Sequence, residues 1–107
     1  MTGNAVNIRL RESDIEHIKQ AFKEVFSPSD KLWIFGSRVD MKAKGGDIDL
    51  YVESVVIDAN QILKMRLKFL RLMIDNIGDQ KIDIVIKSGD YSLPIYDVAR
   101  KEGVRLV

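Results

Sequence analysis

Between positions 47 and 52 the chain reads Asp-Ile-Asp-Leu-Tyr-Val, a strict alternation characteristic of an extended strand. Successive side chains of a strand leave on opposite faces, so Ile48, Leu50 and Val52 share one face and Asp47, Asp49 and Tyr51 the other. The first face requires a hydrophobic core. The second carries two carboxylates at i and i+2, with β-carbons about 6–7 Å apart. Like charges so placed repel, and burial would raise their pKa values. A strand that needed only stability would carry Thr or Val there. The segment predicts a sheet with one packed face and one face reserved for something other than packing.

The remaining elements follow from periodicity. After a short alternating start at Val6, Ile8 and Leu10, the run Ser13-Asp14-Ile15-Glu16 fits a capping box. Ile15, Ile18, Phe22, Val25 and Phe26 then recur at helical spacing as far as Ser27-Pro28. Leu32-Trp33-Ile34-Phe35 is a continuous apolar run ended by Gly36, the pattern of a strand covered on both faces. Residues 37–46 are polar and basic and read as a turn or short helical piece followed by a loop, with Gly45-Gly46 turning into the aspartate strand. A long helix is expected from Asp58 to Ile77, its apolar face formed by Ile62, Leu63, Leu67, Phe69, Leu70, Met73, Ile74 and Ile77, with Gly78 as its stop. Lys81 to Ile86 alternates again, Ile82, Ile84 and Ile86 opposite Asp83. A last helix from Pro94 to Gly103 and an edge strand at Val104–Val107 complete the order. The first two strands are about ten residues apart, so the sheet is expected to be mixed, flanked by helices, in a single α/β (α+β) domain spanning 1–107.

Composition removes whole classes of function. A chain of 107 residues with 46% hydrophobic and 31% charged residues has the balance of one globular core. The absence of cysteine excludes disulfide scaffolds and thiolate metal sites, and a single histidine excludes the usual zinc sites. A net charge of +1 does not suit a protein that coats nucleic acid, and direct nucleic-acid binding is not expected. No apolar run approaches the ~18 residues of a membrane span, and Met1–Leu10 lacks the plan of a signal peptide, so a cytoplasmic location is expected. Chemistry, if any, falls to carboxylates, hydroxyls and backbone.

Hard Mg²⁺ resolves the conflict at Asp47 and Asp49, because it takes carboxylate oxygens and commonly keeps substrate phosphate oxygens among its ligands. Asp83, opposite the isoleucines of its own strand, would join them if the two strands are neighbours in register. Three such acids suit a pair of cations clamping an in-line phosphoryl displacement. Gly36 ends a strand where a phosphate could approach the backbone closely, and the Ser37 hydroxyl adds a donor. Arg38, Lys42 and Lys44 add positive charge to the same loop.

In these residues the chain resembles the minimal nucleotidyltransferases of the DNA polymerase β-type nucleotidyltransferase superfamily. The match is carried by Gly36, Ser37, Asp47 and Asp49, framed by Leu32–Phe35 and Leu50-Tyr51-Val52, with Asp83 as third acid; it covers about residues 31–53 and 80–86. The resemblance implies a mixed sheet flanked by helices, dependence on two Mg²⁺ ions, and transfer of a nucleoside monophosphate, AMP from ATP, with release of pyrophosphate. Gly36 and Ser37, with Arg38 beside them, would hold the triphosphate. Asp47, Asp49 and Asp83 would bind metal, and Asp83 would help deprotonate the attacking hydroxyl. Minimal members often accompany a small helical HEPN-domain toxin whose tyrosine they adenylylate as antitoxins, which implies the same kind of partner here. Two departures lie in the phosphate loop. Nine residues separate Gly36-Ser37 from Asp47, one fewer than usual, and a second glycine common after the serine is replaced near Asp40 or Met41.

Two other functions fit parts of the sequence. One is a non-catalytic module that neutralises a helical partner by occlusion and would show an exposed apolar patch on its helices. The other is a small-molecule, aminoglycoside-type nucleotidyltransferase, which the chain length disfavours because such enzymes carry extra acceptor-binding domains. Lys64, Lys68 and Arg71 form a basic stripe at i, i+4, i+7 that reads first as a solvated helix face. Trp33 and Phe35 read as core and His17 as exposed.

Overall fold

The computed structural model describes residues 8–90 and 92–107; Val6, part of the expected alternating start, lies outside the described residues. The elements run α1 (Glu12–Val25), β1 (Lys31–Phe35), a 3-10 turn (Gly36–Val39), β2 (Ile48–Ser54), α2 (Ala59–Ile77), β3 (Ile82–Ser88), α3 (Pro94–Glu102) and β4 (Val104–Arg105). The four strands form one mixed sheet in the order β3-β2-β1-β4. β1 is antiparallel to both β2 and β4, whereas β2 and β3 are parallel. Parallel neighbours need a long crossover, and α2 supplies it.

The two faces of the sheet are packed unequally, as the alternation requires. Ile48, Leu50 and Val52 of β2 and Ile84 and Ile86 of β3 bury against Ile15, Ile18 and Phe22 of α1 and Phe69 and Met73 of α2. Each such side chain contributes about 1.5–3 kcal/mol when fully buried. Phe22, Phe26 and Phe69 pack ring to ring, with centroids 4.7 to 5.8 Å apart. The opposite face carries a smaller cluster of Trp33, Phe35 and Tyr51 beneath Tyr96 and Ala99 of α3. The apolar run of β1 is thus buried on both faces, as expected. α3 has only nine residues, and Asp83 beside it stays exposed.

Two expectations are corrected. α1 begins at Glu12 with Arg11 as its cap residue and no side-chain cap bond, so the capping box at Ser13 does not form. The chain is pinned just before the helix: Arg9 N donates to the Arg38 carbonyl, and Arg38 Nη1 donates to the Arg9 carbonyl. Ser13 lies inside the first turn, two residues past the cap position, and Glu12 and Asp14 offset the helix dipole instead. On α2, the core-facing residues are Phe69 and Met73, supported by Ile62, Met65, Leu70, Leu72 and Ile77. Leu63, Leu67 and Ile74, expected in the apolar face, are 53%, 56% and 37% exposed. The helix carries more apolar surface than the sheet and α1 can cover.

Candidate active site

Strand directions bring the end of β1 and the beginnings of β2 and β3 to the same end of the sheet. Phe35 of β1 pairs with Asp49 of β2, and Asp49 pairs with Asp83 of β3. Asp49 and Asp83 therefore stand side by side on adjacent strands, on the α3 face with Tyr51 and Val85. Asp47 lies just ahead of β2, where its carboxylate meets Lys81 Nζ at 3.6 Å. Burial pushes the Asp49 carboxyl above its ordinary value, and the charges of Asp83 and then Asp47 push it further. Among the described residues no group of three or more His, Cys, Asp or Glu side chains draws together closely enough to hold a metal ion.

Gly36 adjoins this pair for a steric reason. Its φ is +76°, and a Cβ there would overlap Asp49 Oδ2 and lie 3.2 Å from Asp49 Cγ. The missing side chain is what lets the Asp49 carboxylate rest against the corner backbone. Ser37 is locked in a similar way. Its hydroxyl donates to the Asp47 carbonyl at 3.4 Å, and a Cβ on Gly46, at φ +93°, would overlap Ser37 Oγ. Corner, loop and acids form one interlocked unit.

The loop between them is held by two arginines. Arg9 donates to the carbonyls of Asp40, Ser37 and Gly45 at 2.9, 2.7 and 2.8 Å. Arg38 donates to the carbonyls of Gly46 and Arg9 at 3.2 and 2.8 Å. Arg38, expected beside the triphosphate, thus spends its guanidinium on backbone and lines a different cavity, with Arg9, Arg11 and Gln80. Lys42 and Lys44 are exposed.

Two cavities adjoin the acids and share Phe35 as a wall. One, of about 510 Å³, is bounded by Gly36, Ser37, Val39, Asp40, Val98 and Glu102. The other, of about 540 Å³, contains Asp49 and Asp83 with Arg66, Leu70, Val85 and Ile95. Arg66 is one of the basic residues of the long helix but lies off the stripe of Lys64, Lys68 and Arg71. It reaches from α2 to β3 and donates to the Ile84 carbonyl, a contact between distant segments that helical spacing does not signal. Ile95 and Val98, exposed on α3, overhang the two cavities.

Tyr51, which shares the aspartate face, is fully buried between Trp33 and Tyr96. Its hydroxyl donates to Glu53 at 2.8 Å, and Arg100 lies 3.3 Å from the same carboxylate. Burial and Glu53 push the phenol above its usual range against the opposing pull of Arg100, so it stays protonated and structural. His17 is exposed. Asp30, missed in the sequence, is buried at the far end of β1, where it accepts from Ser27 N, Ser54 Oγ and Val55 N. It ties the start of β1 to the end of β2 and so helps fix the register that aligns Asp49 with Phe35.

No protein-family model matches this chain, and no curated protein matches it. Among the described residues no helix is long and apolar enough to cross a membrane. The donors are of the hard oxygen type that divalent cations take: Asp49 stands beside Asp83 with Asp47 near, and the negative charge of those two on Asp49 is the kind that a cation would offset.

Proposed function

We propose that this chain is a minimal nucleotidyltransferase of the polymerase β type. It would transfer AMP from ATP to a hydroxyl, a tyrosine of a HEPN-type toxin partner, acting as antitoxin in the cytoplasm. The observation that carries the reading is the in-register pairing of Asp49 with Asp83 against a corner glycine whose side chain that carboxylate excludes. A sheet needs neither feature for stability.

In this reading Asp47, Asp49 and Asp83 hold two Mg²⁺ ions, which when bound offset the charge on the attacking and leaving oxygens. Gly36 and Ser37 admit the phosphates to the corner. Asp83, the exposed member of the pair, orients the acceptor hydroxyl and takes its proton. The acceptor oxygen then bonds to the α-phosphorus as the bond to the bridging oxygen breaks and pyrophosphate leaves. Ile95 and Val98 cover the rim and limit water as a competing acceptor.

A second reading, a non-catalytic module that blocks its partner by occlusion, is favoured by two observations. The Gly36–Ser37 cavity is lined by Asp40 and Glu102 and, among the described residues, by no basic side chain. The row Leu63, Leu67 and Ile74 on α2 is exposed. Incubation with labelled ATP, Mg²⁺ and the product of a neighbouring toxin-like gene separates the two. The enzyme labels that product, and Asp47→Asn abolishes labelling while leaving the fold intact, since the Asp47–Lys81 pair is exposed and contributes little. Neutralisation without label supports occlusion. Labelling of an aminoglycoside alone would favour a small-molecule enzyme.

A further inference from the structure

Along α2, Leu63, Leu67, Leu70 and Ile74 recur at intervals of four, three and four, the a/d spacing of a coiled-coil seam. Phe69 and Met73 face the core, and of this row only Leu70 also packs against it. Leu63 and Leu67 are more than half exposed, Ile74 is 37% exposed and Leu70 is half-buried. Beside it run Lys64, Lys68 and Arg71, all exposed, with one acid, Asp75, 3.7 Å from Arg71. An apolar seam with a basic flank calls for an apolar row with an acidic flank. A second copy of this chain would set the lysines and Arg71 against their own kind. A strand added to the free edge of β3 is obstructed, since Arg66 already occupies the Ile84 carbonyl and Asp83 and Lys87 mark that edge with charge.

The seam is also continuous with the acid site. Leu70 belongs to the row and lines the cavity that holds Asp49 and Asp83, as does Arg66 one turn earlier. We propose that the outer face of α2 docks an acidic amphipathic helix of a partner protein. Its apolar row meshes with Leu63, Leu67, Leu70 and Ile74, and its carboxylates pair with Lys64, Lys68 and Arg71. The part of the helix nearest Leu70 and Arg66 then overhangs the Asp49–Asp83 cavity. Only this last placement rests on the transfer reading; the docking face stands on the seam and its charges. Four apolar side chains fall well short of the ~800 Å² per partner of a stable interface, so the contact is transient unless polar pairs extend it.

The test uses the full chain and two fluorescein-labelled helical peptides with leucine at a and d, one with glutamate and one with lysine at e and g. By fluorescence anisotropy the glutamate peptide should bind about tenfold or more tightly than the lysine peptide, and weaken as salt rises from ~50 to ~500 mM. Leu67→Asp should cost about tenfold or more of that affinity. Leu63→Ser repeats the test with a milder change, and circular dichroism checks that each variant folds. Lys64→Glu with Arg71→Glu should reverse the preference between peptides. Equal binding of the two peptides, indifference to Leu67→Asp, or a dimer of this chain that Leu67→Asp dissociates in sedimentation would each overturn the proposal. Magnesium-dependent ATP uptake, measured by calorimetry on the same samples, keeps the two readings apart. Peptide binding without uptake upholds the docking face and removes the transfer reading, whereas uptake without peptide binding removes the docking face alone.

Discussion

The contact between Gly36 and Asp49 permits a quantitative test of how the site is built. Gly36→Ala places a Cβ at φ +76° and against the Asp49 carboxylate. The left-handed backbone costs alanine about 1–2 kcal/mol. Displacing the carboxylate or shifting β1 from β2 is overpacking, worth about 1–3 kcal/mol. A central sum of ~3.5 kcal/mol lowers the melting temperature by roughly 14–28 °C in a domain of this size. The two parts separate in a double-mutant cycle. With Asp49→Ala in the background the overlap disappears, because only the Asp49 Cβ remains, at an ordinary 3.4 Å, while the backbone cost persists. Gly36→Ala should then cost only about 1–2 kcal/mol, a coupling of about 1–3 kcal/mol. Urea unfolding followed by Trp33, the one tryptophan and buried on the same face, reads all four proteins. Additivity of the two substitutions within ~0.5 kcal/mol would refute the interlock.

Three further outcomes follow from the same geometry. Asp49 has a raised pKa in the folded chain, so the folded state holds its proton more tightly than the unfolded one. Stability is fully present below the ordinary aspartate value and is lost as pH rises through the raised value. Asp49→Asn should therefore melt with the wild type at about pH 3–4 and above it at neutral pH, as a melting-temperature profile against pH will check. Lys81→Ala removes an exposed pair with Asp47, 75% and 41% exposed, so stability should change by less than ~0.5 kcal/mol while Mg²⁺ titration shows tighter uptake. Arg9→Ala takes three carbonyl partners from the loop at Ser37, Asp40 and Gly45 and should cost about 1–3 kcal/mol, with faster amide exchange confined to residues 37–46.

The parts of this fold legible in the sequence are those governed by local periodicity. Alternation assigned Ile48, Leu50 and Val52 to one face and Asp49 and Tyr51 to the other, and the same period put Asp83 opposite Ile82 and Ile84. Gly36, Gly78, Pro94 and Gly103 marked element ends because each answers to its own backbone. Interactions between distant segments were not legible. The clasp of Arg9 and Arg38 joins residues 28 to 36 positions apart, and it commits the Arg38 guanidinium to backbone carbonyls. Asp30 meets Val55 across 25 positions. Helical spacing also could not divide the apolar residues of α2 between the core and the outside. Leu63, Leu67 and Ile74 have the same hydrophobicity and period as core residues, and only the packed sheet and α1 show which row is left uncovered. At the site, sequence placed the aspartates and the glycine-serine corner in one neighbourhood, but the lysine beside Asp47 and the arginine reaching β3 came only with the tertiary structure.

The central claim is that Asp47, Asp49 and Asp83 bind divalent cations together with a nucleoside triphosphate at the Gly36–Ser37 corner. Isothermal titration of the chain with ATP, with and without Mg²⁺, tests it most directly. Uptake should occur only when Mg²⁺ is present and should vanish in Asp49→Asn and Asp83→Asn while both variants keep their folded circular dichroism. No uptake by the wild-type chain, or uptake that survives both substitutions, would contradict it.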